Sequence, residues 1–523
     1  MALGRARVQQ GFQDPRDILG DRLREGSLYR LLADHGQAMF PDGYFADLYS
    51  GSVQGQPTIP ARVVATVMVL QAFEGLSDRE ACDRLEADLR WQAAAGVDAG
   101  HRAFHPTVLV GMRSKLRASA RPRRLFEDTK VVARQTGALK HRARVLDATA
   151  IYDAVATQDT VTQLRAAIRK VLAALDKAGS PLAGQIRAVL RRDDDYASAG
   201  KPPCDWDDPA AREALVDELV IDALAALGVL DGQSMSAAAA EAADLLALVA
   251  GQDVEAGSDG MFRIARKTAR DRVISTVDTA ARHGHKSRNR RFDGYKAHLS
   301  VDPDSELIDE VAATAANTPD REAVSGLLGD LAGAGDKPEV VGDSAYGDAG
   351  TRAGLEEQGF TVVAKCPPAR NSGGRFAKDQ FIVDLDHSTV TCPAGHAAGI
   401  VPAARGGRAS FRPWCAACPL RPACTASRRG RTIAVHPLEE VLQRARRQQA
   451  DPAWQDQYRT DRPVVERKIS HFTRRAWGGR KARTRGLARI TTDLYARAGA
   501  LNWARLAVLG ARHDGASWVI QQT

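Results

Sequence analysis

The sequence predicts an α/β protein with helical additions, and three observations carry the prediction. Strand-like runs rich in β-branched residues alternate with helical periodicity across residues 140–511. A purely helical pattern fills most of residues 1–125 ahead of them. Two stretches interrupt the alternation: 161–265, which reads as helical, and 370–436, which is irregular and rich in Gly, Pro, Arg and Cys.

In the first region, Ala61 to Phe73 carries apolar residues at helical spacing, with turn signals at Gly75 and Gly96. Ser77 followed by Glu80 forms a capping box for the next helix, and a basic helix ends the region before Phe126. The run RARVLDATAIYDAV then reads as a strand. The helical interruption that follows is dominated by Ala, Leu, Arg and Asp and is broken at Pro202, Pro203 and Pro209. Strand signals return in FDGYKAHLSVDPDSELIDEVAATAA as a hairpin turning at Pro303-Asp304. A helix over Asp320–Leu331, a strand in KPEVVGDSAYGD and a strand in TVVAKCP complete the alternation, and residues 437–511 are helical.

A chain of 523 residues accommodates two to four domains. Its net charge of +9 favours a polyanionic partner. The N-terminus lacks an apolar signal-peptide core, and no apolar stretch approaches the roughly 20 residues that span a bilayer. A cytoplasmic protein with no membrane partner is expected. The seven cysteines do not suggest a disulfide framework, and the four that cluster late in the chain point to a metal.

Asp147 ends the apolar pair Val145-Leu146, and Asp343 follows Val340-Val341 across Gly342. Carboxylates at the C-terminal edges of strands sit where α/β sheets present their ligands. Side by side, the two strands would bring both to one point. Hard cations such as Mg²⁺ or Mn²⁺ take carboxylate oxygens and leave positions open for phosphate and water. Glu466 lies on a helix whose Val465, Ile469 and Phe472 pack inward, and it would complete a site for two ions. Each carboxylate alone is more often a turn, cap or solvated residue; the combination carries the reading. Asp348 reads as the cap of the helix after Gly347.

In these blocks the chain resembles the DDE transposases of bacterial insertion sequences. VLDATAI with DAVATQDTV is similar to that family's first-aspartate block, RFDGYKAHLSVD to its next core strands, and VVGDSAYGD to its second-aspartate block. The stretch from Tyr458 through Arg462 and Glu466 to Arg474 resembles its signature around the glutamate, and TRGLARITTDLYARAGALNWARL its last helix. The blocks occur in the family's order. Two departures stand out. The spacing from Tyr458 to Arg462 is one residue longer than in some relatives, and Thr473, Arg474 and Arg475 occupy the place where a lysine often follows the glutamate.

The resemblance implies an RNase H-like catalytic core within 140–511, interrupted by the helical insertion 161–265 and the cysteine-rich insertion 370–436, behind a helical N-terminal DNA-binding or dimerisation domain in 1–125. It further implies binding of an element's terminal inverted repeats, Mg²⁺-dependent DNA cleavage and strand transfer into target DNA, and a homodimer when assembled on double-stranded DNA. The alternatives are a domesticated, inactive DNA-binding derivative and a non-transposing metal-dependent nuclease.

Beyond the carboxylates, Arg462, Lys468, Arg474, Arg475, Arg480, Lys481, Arg483 and Arg485 form a basic stretch suited to phosphates. Trp477 within it is expected to pack. Lys296 and His298, two apart on a strand, share a face that would look toward the carboxylates or DNA. A second basic run from His283 reads as a loop that also touches phosphates. Cys415, Cys418 and Cys424, with Cys392 upstream, have the spacing of a structural Zn²⁺ site, which would staple a segment too polar to bury a core of its own.

Overall fold

The computed structural model describes residues 14–41, 43–49, 58–140, 142–287, 289–329, 331, 338–369, 373–474 and 479–520. Arg475 and Trp477 lie outside them.

After a short helix at Pro15–Leu19, six longer helices open the described residues: α1 (Leu28–Met39), α2 (Ala61–Glu74), α3 (Asp78–Ala87), α4 (Leu89–Ala95), α5 (Thr107–Ala118) and α6 (Arg124–Gln135). The capping box at Ser77 and Glu80 is formed, each side chain accepting from the other's backbone N–H. Helix α2 is apolar all round after Arg62 because it is central, buried from Val63 to Gln71.

Strand β1 (Ala143–Tyr152) starts the sheet, and the chain then leaves it for four helices, α7 (Thr160–Lys177), α8 (Leu182–Val189), α9 (Pro209–Leu230) and α10 (Ala237–Gln252). These bury a core of their own around Leu164, Ile168, Leu219 and Leu246. Strands β2 (Arg282–Ser287), β3 (Arg290–Val301) and β4 (Ile308–Ala315) follow, then α11 (Val324–Leu328), β5 (Glu339–Gly342), α12 (Ala349–Glu357) and β6 (Thr361–Ala364). They form one mixed six-stranded sheet in the order β2-β3-β1-β5-β6, with β4 also paired to β3. Strand β3 is antiparallel to β1, whereas β5 runs parallel to β1 and β6 parallel to β5.

The segment expected to be irregular is built from two three-stranded sheets, β7 (Ile382–Asp384), β8 (Thr389–Thr391) and β9 (Ala397–Gly399), then β10 (Val401–Ala403), β11 (Gly406–Ser410) and β12 (Thr432–Val435). They enclose Phe381, Val390, Phe411, Ile433 and Val435. Short strands with few apolar residues hid this small core from the sequence pattern. Three long helices follow, α13 (Glu439–Ala450), α14 (Pro452–Phe472) and α15 (Leu487–Val508), and a small hairpin of Ala511–His513 with Trp518–Ile520 ends the described residues.

Helices cover both faces of the sheet. On one, Val145, Leu299, Val301, Val341 and Val363 meet Val465, Ile469 and Phe472 of α14 and Leu494 and Leu501 of α15. On the other, Leu146, Val340 and Val362 meet Val324, Leu327, Tyr346 and Leu355. Arg142 fixes α14 across the strand starts by pairing with Asp461 at 3.2 Å and Glu339 at 3.4 Å.

Helix α15 also belongs to the opening helical unit. Trp503 and Leu506 share one core with Val64, Val67, Leu70 and Trp91. Buried Asn502 sets its register: its amide donates to Thr129 Oγ1 and the Ile308 carbonyl, and its Oδ1 accepts from the Ile308 N–H. One turn earlier α15 crosses α6 so closely that a Cβ on Gly499 would stand 2.8 Å from the Leu125 carbonyl oxygen. Gly499→Val should therefore destabilise the protein by about 1–3 kcal/mol through overpacking. Urea denaturation checks this, and an unchanged midpoint would show that the crossing is looser than described.

Candidate active site

Three residue pairs join β1 to β5 in parallel: Ala143↔Glu339, Arg144↔Val340 and Val145↔Val341. Two residues beyond the last pair come Asp147 on one strand and Asp343 on the other. Because side chains alternate along a strand, both aspartates lie on the face of Val145 and Val341, the face that α14 covers. Neighbouring strands stand about 5 Å apart, so this register alone makes the aspartates neighbours.

From α14, Tyr458, Arg462 and Glu466 follow at four-residue steps and so share one helix face. Arg462 Nη2 donates to Asp147 Oδ2 at 2.9 Å, and its Nη1 lies 3.5 Å from Glu466 Oε1. Asp147 Oδ1 accepts from the Ala148 N–H, and Asp343 Oδ1 from the Ala345 N–H, both at 2.8 Å. The Asp147 and Arg462 side chains are 18% and 11% exposed, whereas that of Glu466 is 62% exposed. Burial pushes the Asp147 carboxyl above the usual carboxylate range, opposed by the Arg462 guanidinium and reinforced by Asp343. All three carboxylates line one open cleft of about 740 Å³, with Arg462, Arg474, Arg480 and Lys296 around them. As the side chains stand, no group of three or more His, Cys, Asp or Glu is close enough to hold a metal ion among the described residues.

The basic residues divide into those that reach this cleft and those held elsewhere. Arg474 and Arg480 line it, and Lys481 and Arg485, the cations that follow along the chain, are exposed. Lys468 is buried instead, 3.8 Å from Glu306, and burial lowers its ammonium to about 8 against the pull of that carboxylate. Arg483 donates to the Leu76 carbonyl at 3.1 Å and to that of Gly75, so it closes the C-terminus of α2. His298 is fully buried and bonded to Thr314 Oγ1 through Nε2 at 2.7 Å. The strand alternation places it and Lys296 on the sheet face opposite Asp147. The expectation that His298 and Lys468 contact DNA thus gives way to burial, which charge type alone does not reveal. Lys296 still reaches the cleft, where its ammonium bonds to Asp320 at 2.7 Å and the Thr318 carbonyl at 2.8 Å. Asp320, a fourth cleft-lining carboxylate, was not anticipated; its only sequence signal is the helix start after Pro319. Asp348 caps α12 as expected, accepting from Gly350 and Thr351.

The four late cysteines come together. Cys392, Cys415, Cys418 and Cys424 line one small cavity, beside which the His396 and Trp414 rings stack at 5.5 Å. The turn at Cys392 is tied by its N–H to the His396 carbonyl at 2.9 Å and by the Gly395 N–H to its own carbonyl at 2.8 Å. Burial raises the Cys424 thiol, and the other three cysteines act in the same direction.

Two comparisons with known families bear on this arrangement. Residues 391–507 match the family described as "Transposase DDE domain", and residues 17–115 match "Transposase domain (DUF772)". The first match takes in the cysteines, Glu466 and α15, and the second the opening helices; neither reaches Asp147 or Asp343. No curated protein and no solved structure matches the chain. The matches support the resemblance to insertion-sequence DDE transposases and, with it, a transposase function. No helix among the described residues is long and apolar enough to cross a membrane.

The buried imidazole sets a pH dependence. Burial lowers His298 from 6.5 to about 4, helped by Lys296 and opposed by Asp320. The unfolded chain takes up this proton near pH 6.5, but the folded one resists it to about pH 4. The stabilisation is therefore complete above pH 6.5 and drains away as pH falls toward 4. Wild type should lose on the order of 2–3 kcal/mol more than His298→Gln between pH 7 and 4.5 in denaturant titrations. Equal losses would mean that the histidine is hydrated.

Proposed function

We infer that this chain is a DNA transposase whose RNase H-like core cleaves and joins DNA at Asp147, Asp343 and Glu466. The observation that carries the reading is the placement of two aspartates by adjacent parallel strands, with a glutamate from α14 lining the same cleft. The sheet order and strand directions support the RNase H-like assignment.

The donor set fits hard divalent cations: all three groups are carboxylates in an open cleft, and the buried one has a single cationic partner, Arg462. Asp147, Asp343 and Glu466 would hold two Mg²⁺ or Mn²⁺ ions, which when bound activate the attacking oxygen and stabilise the leaving one at phosphorus. The chain's own residues supply the rest. Arg474, Arg480, Lys481 and Arg485 neutralise DNA phosphates around the cleft. Arg462 donates to the buried Asp147 carboxylate and opposes the effect of burial on it. Water attacks the scissile phosphorus and a P–O bond breaks to leave a 3′ hydroxyl. That hydroxyl attacks a target phosphorus in turn, displacing a second 3′ oxygen. The helical N-terminal region binds the terminal inverted repeats, and the protein works in the bacterial cytoplasm as a homodimer on DNA. The four cysteines around one cavity suit a structural Zn²⁺, which thiolates of this spacing bind tetrahedrally.

With Mg²⁺ and duplex DNA carrying the element's ends, wild type should cleave and join. Asp147→Asn, Asp343→Asn and Glu466→Gln should each lower cleavage by about 10³-fold or more. Undiminished cleavage in any of the three removes that residue from the site. Cleavage without joining in the wild type would instead indicate a nuclease.

A further inference from the structure

The strand pair β2–β3 runs on where the sheet stops. Strand β1 follows β3 only as far as Tyr152↔Gly294, and β4 only as far as Ala315↔Tyr295. Beyond that line β2 and β3 pair with each other alone, through His283↔Asp293, Gly284↔Phe292, His285↔Arg291 and, past a bulge, Ser287↔Arg290. The expected basic loop is therefore a two-stranded ribbon.

Its base is built to hold it there. Gly294 has a φ of 133°, and a Cβ at that position would collide with the backbone of Ile151 and Asp153. Glycine lets the ribbon leave the sheet while the strand stays paired on both sides of the exit. Asp293 ties the base down, accepting from the Thr157 hydroxyl and lying against His283 Nδ1, each at 2.6 Å.

The charges beyond the base are unbalanced. His285, Lys286, Arg290 and Arg291 are exposed, while the ribbon's acid, Asp293, is committed to His283. Alternation sends His285 and its register partner Arg291 out of one face and Arg290 out of the other. A ribbon meant to lie against protein would turn one apolar face inward; this one offers cations on both. The major groove of B-DNA, about 12 Å wide, admits a two-stranded ribbon and has a phosphate strand on either side. His285, Lys286 and Phe292 also line the mouth of the carboxylate cleft, so the ribbon stands where a duplex entering that cleft would pass.

We propose that the ribbon formed by Arg282–Ser287 and Arg290–Gly294 enters a groove of the duplex bound at the cleft, with Lys286, Arg290 and Arg291 neutralising phosphates of both strands. This rests on the transposase reading for its substrate, but its test does not need catalysis.

Binding of the full-length protein to an about 30-bp fluorescein-labelled duplex of arbitrary sequence is followed by anisotropy, without divalent cations, over a range of KCl concentrations. The triple variant K286Q/R290Q/R291Q should show a slope of log affinity against log salt smaller in magnitude by about two to three than wild type. Its thermal melt should be unchanged, since all three side chains are exposed. An unchanged slope overturns the proposal, as does an equal loss on single-stranded DNA of the same length. If the slope falls as expected but wild type never cleaves DNA, the ribbon stands and the transposase reading fails. If wild type cleaves and the slope is unchanged, only the ribbon fails.

Discussion

The parallel pairing of β1 with β5 is short, yet the cleft depends on it. Val145↔Val341 sets Asp147 level with Asp343 and puts both on the face that α14 covers. A slip of one residue in either strand would turn that strand's aspartate to the opposite face, against Leu327 and Tyr346. Apolar side chains on both faces forbid the slip, since it would exchange Leu146 and Val145 between two cores of different shape. The Arg142 pairs with Glu339 and Asp461 add α14 to the same frame. The third carboxylate is thus positioned by the strands that position the first two.

Electrostatics in the cleft follows from that geometry. Helix α14 delivers a guanidinium and a carboxylate on one face, and the guanidinium lies between Asp147 and Glu466. Asp147 is buried enough that burial outweighs its cationic neighbour, so its carboxyl titrates above the usual range. Glu466 stands mostly in solvent. A divalent cation would meet one preorganised ligand held in protein and one that is free to swing. The surrounding arginines keep the cleft mouth attractive to phosphate although four carboxylates line its floor.

Much of this was legible in the sequence, for identifiable reasons. Aspartates that follow apolar β-branched runs mark Asp147 and Asp343, because such runs are local signals. Asp343 comes just past the end of β5 as expected, whereas Asp147 lies in the middle of β1, two residues beyond its pairing with β5, because β1 continues along β3 to Tyr152. The Pro303-Asp304 turn, the Ser77 capping box and the Asp348 cap are local in the same way. What depends on long-range packing was not legible. Lys468 and His298 look like surface residues in the sequence, but Glu306, distant along the chain from Lys468, and Thr314, on the strand paired with that of His298, receive them in the interior. Arg483 looks like one cation among many until the end of α2 accepts it. Helix α15 reads as the last element of the catalytic core, yet Trp503 completes the core of the opening helices. That shared helix packs in the core of the opening helices and in the core under the sheet alike.

The central claim, that Asp147, Asp343 and Glu466 form one divalent-metal site, is tested most directly by cutting the chain from the metal itself. Fe²⁺ loaded in place of Mg²⁺, with ascorbate and peroxide, cleaves backbone close to where it is bound. The account predicts three sets of fragments, ending near residues 147, 343 and 466, all suppressed by excess Mg²⁺. Fragments that end elsewhere, or cutting near only one of the three positions, would contradict it.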